Sequence, residues 1–273
     1  MSKNRKTQFN IGYIVLGLIG VFVLVGLIYR PYDPTAMDVT SKLAHPGVEH
    51  WFGCDQFGRD LFARVEQGLL LSVIISAISV FIGTVGGTVI GAVCGYFGGV
   101  VDQVLSTVID VLFAIPSILL ALVLVSLFGS NIYNIIIALG IAIIPSFAKM
   151  MRSEFITQSK SEYVKAAKMR GVSPMRLIFV HILPNTMPTF LSCVFISLNN
   201  VLLAEAGLSY LGIGIQPPFS SLGGLLSDGQ GYLKQAPFYC IFPGIVLLVL
   251  LLGIGLISEG GSFHNAYSKR FKD

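Results

Sequence analysis

The chain has 273 residues, of which 54% are hydrophobic and 12% are charged, and its formal net charge is +4. A soluble domain carries about 25% charged residues. This composition therefore excludes an ordinary soluble protein and indicates an integral membrane protein.

Uncharged apolar stretches predict the membrane-spanning segments, since a spanning helix needs about 20 apolar residues. Helices are the expected form, because every backbone amide in hydrocarbon needs an internal partner. The segment FGSN at 128–131 supplies a turn between two of the spans. We therefore predict an all-α integral membrane protein with about six transmembrane helices, at 11–29, 69–95, 102–127, 132–148, 180–206 and 237–258.

The distribution of lysine and arginine predicts the orientation. These residues concentrate in the N-terminal tail, in the 149–176 loop and in the C-terminal tail, and the positive-inside rule places all three in the cytoplasm. The first span is too long for a signal peptide and is expected to be an uncleaved anchor. The expected organisation is an anchor helix with an extracytoplasmic loop at 1–68, a transmembrane domain at 69–258 and a cytoplasmic tail at 259–273.

Glycines recur every four residues in the second predicted span, at Gly83, Gly87, Gly91, Gly95 and Gly99. This spacing places them on one face of a helix, where another helix backbone can approach closely. We interpret the row mainly as a packing surface, with a sliding contact that lines a pathway as the alternative.

Two acidic residues fall inside predicted spans, where ionisable groups are costly and often functional. Asp110 precedes Pro116 in the third span and either lines a path or caps a kink. Glu205 lies near the outer end of the fifth span, where solvent is expected to reach it. His45 and His50 lack a third ligand at metal-binding spacing, so they are expected to be surface residues and no metal site is predicted.

A basic segment interrupts the apolar sequence between the fourth and fifth spans. Its seven cations are Lys149, Arg152, Lys160, Lys165, Lys168, Arg170 and Arg176. Ser159 and Glu162 fit a capping box, Gly171 fits the position after a helix end, and Ser173-Pro174 fits a new helix start. The segment therefore predicts a short helix, a break at Gly171 and a second helix.

A helix this short is only marginally stable in isolation, so it must be stabilised by contacts with other groups. The positive-inside rule alone explains the charges but not the caps, and membrane lipid would then satisfy the cations. A nucleic-acid patch would need aromatic stacking groups that the segment lacks. A docking helix that places the small side chains Ala166 and Ala167 in a partner's groove explains charge and caps together.

Three motifs carry a resemblance to a known family. Ala166, Ala167, Gly171, Leu183 and Pro184 have the spacing of the E-A-A, three residues, G, nine residues, I-x-L-P motif of permease subunits of ATP-binding-cassette (ABC) importers. Two further segments, FGCDQFGRDLFARVEQG (52–68) and EAGLSYLGIGIQPPFSSLGGLL (205–226), resemble motifs of the C-type second permease of the dipeptide, oligopeptide and nickel branch. Lys165 and His181 replace the family's Glu and Ile, and the C-terminal EGGSFHNAYSKRF departs from the family's usual ending.

The resemblance implies a type I permease bundle with a cytoplasmic coupling helix, in the cytoplasmic membrane of a bacterium or archaeon. Its implied partners are a homologous second permease, two ATPase subunits that bind ATP and Mg²⁺, and an extracytoplasmic substrate-binding protein. The chain itself is then not an enzyme and binds no cofactor, and its sequence has no phosphate-binding G-x-x-x-x-G-K-[ST] loop. The implied coupling-helix residues are Glu162, Tyr163, Lys165, Ala166, Ala167, Gly171 and Pro184.

The outer segments hold further candidates. Asp60 and Arg64 are four residues apart and can pair on a helix surface. Asp55, Arg59 and Asp60 either stabilise the loop or contact a partner protein, and Gln216 falls in a Gly- and Pro-rich loop expected near the mouth of the path. The candidates for the translocation path or an outer interface are thus Asp55, Arg59, Asp60, Asp110, Glu205 and Gln216. A disulfide between Cys54 and Cys240 is also possible, since both are predicted on the outer side.

Short peptides are the expected substrate, because the branch consists mostly of peptide importers, with nickel or a metal chelate as the alternative. A stand-alone secondary transporter would need inverted repeats or paired ionisable groups at the midplane, and the sequence has no internal repeat.

Overall fold

The computed structural model describes residues 3–28 and 32–260. Apart from an isolated bridge between Cys54 and Asp60 and a 3₁₀ turn at Val39–Ser41, the regular elements of these two ranges are α-helices and one π-helix, Leu177–Ile182. The α-helices are α1 (Lys3–Ile28), α2 (Leu61–Phe97), α3 (Gly99–Ala114), α4 (Ser117–Phe128), α5 (Ile132–Ser159), α6 (Glu162–Met169), α7 (Pro174–Arg176), α8 (Leu183–Tyr210), α9 (Leu222–Gln230) and α10 (Phe238–Gly260).

Four helical stretches of the described chain are long and apolar enough to cross a membrane: Leu61–Phe97, Ile132–Ser159, Pro174–Tyr210 and Phe238–Ser258. The pair α3 and α4 is bent by 87° and counts at most as a fifth span, and Asn10–Gly26 in α1 forms a shorter apolar helix. The sequence predicted six spans, so the difference lies in α1 and in the bent pair. Helices α2 and α5 and the helical stretch Pro174–Tyr210 also extend beyond the spans predicted from the sequence.

The glycine row brings α2 and α5 into backbone contact, and the two helices run parallel. A Cβ atom on Gly87 would lie 2.9 Å from the carbonyl oxygen of Ile144, and one on Gly91 would lie 2.6 Å from that of Ala148. The same close approach recurs at the ends of the contact, at Gly83 and Gly95. The packing interpretation of the row is therefore confirmed for these four positions.

Helix α1 packs against α10 through two further glycines. A Cβ on Gly12 would lie 2.8 Å from Cγ1 of Ile257, and one on Gly253 would lie 2.8 Å from Cδ2 of Leu16. α1 is thus part of the bundle and covers one side of its last helix.

Candidate functional sites

Helix α6 lies between the end of α5 and the start of α7. Its N-cap is Ser161, which makes no side-chain cap hydrogen bond. The predicted capping box is wrong: Ser159 is the last residue of α5 and donates its hydroxyl to the carbonyl of Ile156 at 2.9 Å. The Glu162 carboxylate instead pairs with the Lys165 ammonium group at 2.8 Å.

The C-terminal end of α6 follows the prediction. Gly171 has φ +75°, a left-handed conformation that glycine adopts without a Cβ penalty. The Gly171 amide donates to the carbonyl of Lys168, and the Val172 amide donates to the carbonyl of Ala167. This pair of bonds is a Schellman motif, so the break at Gly171 is confirmed.

The inner face of α6 rests on the chain's own core. Val164 is fully buried and Ala167 is 8% exposed. They pack in one cluster with residues from α5 and the π-helix, namely Met151, Phe155, Leu177 and Ile182. This cluster supplies the support that a two-turn helix needs, since it is marginal alone.

The outer face of α6 is open. Glu162, Lys165 and Met169 are exposed, and Ala166 lies half-buried at the edge of this face. Met169 is 84% exposed and was not singled out from the sequence. The expectation that both alanines form the docking surface is wrong for Ala167, because its side chain points into the cluster on α5.

Two other residues of the predicted set lie on α6 and on α8. Tyr163 is half-buried, and its hydroxyl donates to Oε1 of Gln158 at 2.7 Å. Pro184 is exposed in the first turn of α8. The helical stretch from Pro174 to Tyr210 is unbroken. The motif that runs from Ala166 to Pro184 therefore joins α6 to a spanning helix.

At the N-terminal end of α2, Asp55 organises the loop that precedes the helix. Its Oδ2 accepts a bond from Nε of Arg59 at 2.6 Å and a second bond from Nη1 of Arg64. Its Oδ1 accepts the backbone amides of Phe57 and Arg59 at 2.8 and 2.9 Å. The predicted surface pair of Asp60 with Arg64 does not form, because Arg64 is buried against Asp55 instead.

Asp60 caps α2 and accepts the amide of Ala63 at 2.8 Å. Its other oxygen lies 2.9 Å from Nδ1 of His50, whose side chain is only 15% exposed, so His50 is not the surface residue that was expected. Asp55, Arg59 and Asp60 are all buried. Their charges are used within the chain to fix the loop on α2.

The cysteines of this region are unpaired. Cys54 and Cys240 are free thiols, so the disulfide considered from the sequence does not form. Burial, with a smaller effect of Asp60, raises the pKa of the Cys54 thiol to about 12.

Asp110 lies on an exposed face of α3. Its carboxylate is 2.8 Å from the ammonium group of Lys149 on α5, which also lies 3.9 Å from the ring centroid of Phe113. The partner of Asp110 is therefore a cation of α5 and not the backbone at the break before Pro116.

Glu205 is fully buried, and the expectation that solvent reaches it is wrong. One carboxylate oxygen accepts the hydroxyl of Ser209 at 2.8 Å, whereas Oε2 has no hydrogen-bond partner in the described part of the chain. Ser209 in turn accepts the amide of Ile215 at 3.3 Å. Glu205 thus helps to hold the loop that follows α8.

Gln216 is exposed in that loop, and its Nε2 donates to the carbonyls of Gly212 and Gly214 at 3.1 and 3.0 Å. It lines a cavity of 160 Å³ together with Arg64 and Asp228. The structure thus brings Gln216 and Arg64 to one cavity, while Asp110 lies apart on α3.

The model of the family described as "Binding-protein-dependent transport system inner membrane component" matches residues 87–264. A dipeptide transport system permease protein of Alkalihalophilus pseudofirmus is 34% identical over 89% of this chain and 79% of its own length. A probable D,D-dipeptide transport system permease protein of Escherichia coli is 32% identical over 94% of this chain and 91% of its own. A glutathione transport system permease protein of Salmonella typhimurium is 35% identical over 94% and 86%.

Two solved structures have a similar fold. An inward-facing form of the MetNI methionine ABC transporter matches 70% of this chain and 91% of its own chain, with a TM-score of 0.58 and 18% identity. An amino acid ABC transporter with histidines matches 76% and 94%, with a TM-score of 0.55 and 18% identity. At these identities the likeness establishes the fold alone, that of a type I importer permease.

Proposed function

We propose that this chain, which belongs to the family of binding-protein-dependent transport system inner membrane components, passes short peptides through the membrane. It is a permease subunit of an ABC importer and not an enzyme; such systems include ATPase subunits and a substrate-binding protein. The observation that carries the peptide proposal is the set of relatives named for dipeptides, D,D-dipeptides and glutathione at 32–35% identity. Nickel or a metal chelate is the alternative, as the sequence motifs are shared with that branch.

Uptake into proteoliposomes that contain the complete importer tests this proposal. We expect ATP-dependent accumulation of labelled di- to pentapeptides and no accumulation of ⁶³Ni²⁺. Accumulation of nickel without accumulation of peptide would contradict the proposed substrate. Peptide uptake in the absence of ATP would contradict the proposed coupling to ATP hydrolysis.

The outer face of α6 is proposed as the surface that docks on an ATPase subunit. Met169 supplies an exposed apolar anchor, and the half-buried Ala166 leaves room for a close approach beside it. The Schellman motif and the buried residue Val164 fix α6 on the bundle. A displacement of α6 is therefore passed to α5 and, through α7 and the π-helix, to α8.

The substitution Met169→Glu tests the docking surface. We expect the variant to fold, because the side chain is 84% exposed, and to lose co-purification with the ATPase and ATP-driven uptake. Met175→Glu is the matched control, since Met175 is 67% exposed but lies outside α6. Equal uptake by the two variants would refute the assignment.

A homologous second permease is proposed as the partner within the membrane. The Pro174–Tyr210 stretch is the least buried of the four spanning stretches, and its exposed row includes the polar Asn200. A polar side chain in a span faces protein or a water-filled cavity. A Leu203→Cys variant should therefore crosslink to the second permease, and its failure to do so with any membrane subunit would contradict this interface.

Both termini are proposed to lie in the cytoplasm, since the basic loop that contains α6 and both basic tails then share one side. ATP and Mg²⁺ are proposed to bind the partner ATPase subunits. A phosphatase fused to either terminus should be inactive, and an active fusion would contradict the orientation.

A further inference from the structure

Helix α4 follows the axis of α5, whereas α3 crosses it. At one end, the Asn134 side chain of α5 donates to the carbonyls of Phe128 and Gly129 at 2.6 and 3.2 Å. At the other end, Pro116 and Pro145 line the same cavity of 220 Å³. The two helices are thus antiparallel over about 17 Å. Since α3 is bent by 87° from α4, α3 runs steeply across the direction of the spans.

The contacts of α3 place it at the α6 end of the membrane. Arg152 of α5 binds Asp102 through two hydrogen bonds of 2.5 and 2.6 Å, and Lys149 pairs with Asp110. Lys149 and Arg152 are the first charges after the uncharged part of α5, 132–148. Helix α3 therefore lies at the depth where the apolar part of α5 ends.

The chain turns sharply between the end of α2 and the start of α3. Gly98 and Gly99 have φ of +64° and +57°, which allows the chain to reverse within two residues. A Cβ on either glycine would meet no atom within 4 Å. These two glycines are therefore required by the backbone conformation and not by close packing. Gly99 thus differs from the rest of the glycine row.

Two exposed rows with different chemistry follow α3. One row is apolar, with exposed fractions of 53–75%: Val100, Val104, Val108 and Val111. The other row is polar and also exposed: Gln103, Thr107 and Asp110. Both rows recur at three- and four-residue spacing, so each occupies one side of the helix, and the third side packs on α2 and α5.

We propose that α3 is an interfacial helix that binds the lipid surface at the α6 end of the bundle. Its valine row enters the acyl-chain region and its polar row faces the headgroups and water. A helix perpendicular to the spans, at the depth where α5 becomes charged, has lipid on one exposed side and water on the other. An upright span would place the exposed side-chain amide of Gln103 in hydrocarbon, and burial of a polar group in an apolar medium is costly.

Spin labelling of the complete importer in lipid nanodiscs tests this proposal. The four native cysteines are replaced by alanine or serine, and single cysteines are introduced as Val104→Cys and Val108→Cys on one row and Gln103→Cys and Thr107→Cys on the other. Collision with oxygen reports lipid exposure, and collision with a nickel chelate reports water exposure. We expect a several-fold higher oxygen-to-nickel ratio on the valine row than on the polar row.

Two outcomes would overturn the proposal. High oxygen accessibility on both rows would show an upright span in lipid. Low accessibility of the valine row to both reagents would show that a protein partner covers it. Either result would leave the peptide proposal intact, because that proposal is measured by uptake and does not depend on α3.

Discussion

The backbone contact between α2 and α5 leads to a sharp prediction at Gly91. In Gly91→Ala the new Cβ would lie 2.6 Å from the carbonyl oxygen of Ala148, 2.7 Å from Cβ of Met151 and 2.9 Å from the amide nitrogen of Arg152. An ordinary carbon contact is about 3.5–4.0 Å. Two of the three atoms belong to the backbone, so α5 itself must move away by roughly 1 Å.

Overpacking of this kind costs about 1–3 kcal/mol, and we expect the upper part of this range because no side chain can rotate away. A loss of about 2–3 kcal/mol corresponds to a decrease in Tm of roughly 5–10 °C for a chain of this size. The measurement is the loss of the monodisperse gel-filtration peak of the purified protein after heating.

Gly86→Ala is the matched control on the same helix. Its Cβ would meet only the end of the Ile144 side chain, at 3.2 and 3.4 Å, and that side chain can shift. Since alanine favours a helix over glycine by about 1 kcal/mol, this variant should be as stable as the parent or slightly more stable. Equal Tm values for the two variants would refute the close approach of α2 and α5.

Three further outcomes are expected. Asp55→Asn removes the charge that two buried arginines share, so it should cost about 3–5 kcal/mol in the same thermal assay, and a loss below about 1 kcal/mol would contradict the buried network. The Cys54 thiol is buried with a pKa of about 12, so it should not react with maleimide at pH 7 until the chain unfolds; labelling of the folded protein would disprove its burial. Glu205→Gln keeps an acceptor for the Ser209 hydroxyl and should be more stable than Glu205→Leu by about 1–2 kcal/mol, as measured by Tm, and equal stability would show that this bond contributes nothing.

Composition and local pattern predicted the elements that depend on a few neighbouring residues. The apolar stretches predicted the spanning helices because burial in lipid depends on average hydropathy, and Gly171 predicted the end of α6 because a left-handed residue after a helix favours glycine. The three motifs also predicted the family. In each case the relevant physics lies within one helix or one turn.

The failures have a common origin in tertiary contacts. The capping box at Ser159 was wrong because α5 continues through Ser159 and α6 begins only at Glu162. Glu205 was placed near solvent because hydropathy gives the position along a span but not the face that is buried. The sequence showed Pro116 as a kink, but the 87° bend depends on how α3 and α4 each pack on α5.

The pairing of α2 with α5 has a mechanical consequence. Their backbones approach closely at four glycines, so we expect the two helices to move together as one rigid unit. One end of the pair lies at α6, where Lys168 Nζ is 5.3 Å from the ring centroid of Tyr96 near the end of α2. The other end of α2 lies at Asp60 and the loop network, about 55 Å away, so we expect a displacement of α6 to tilt this distant loop at the same time.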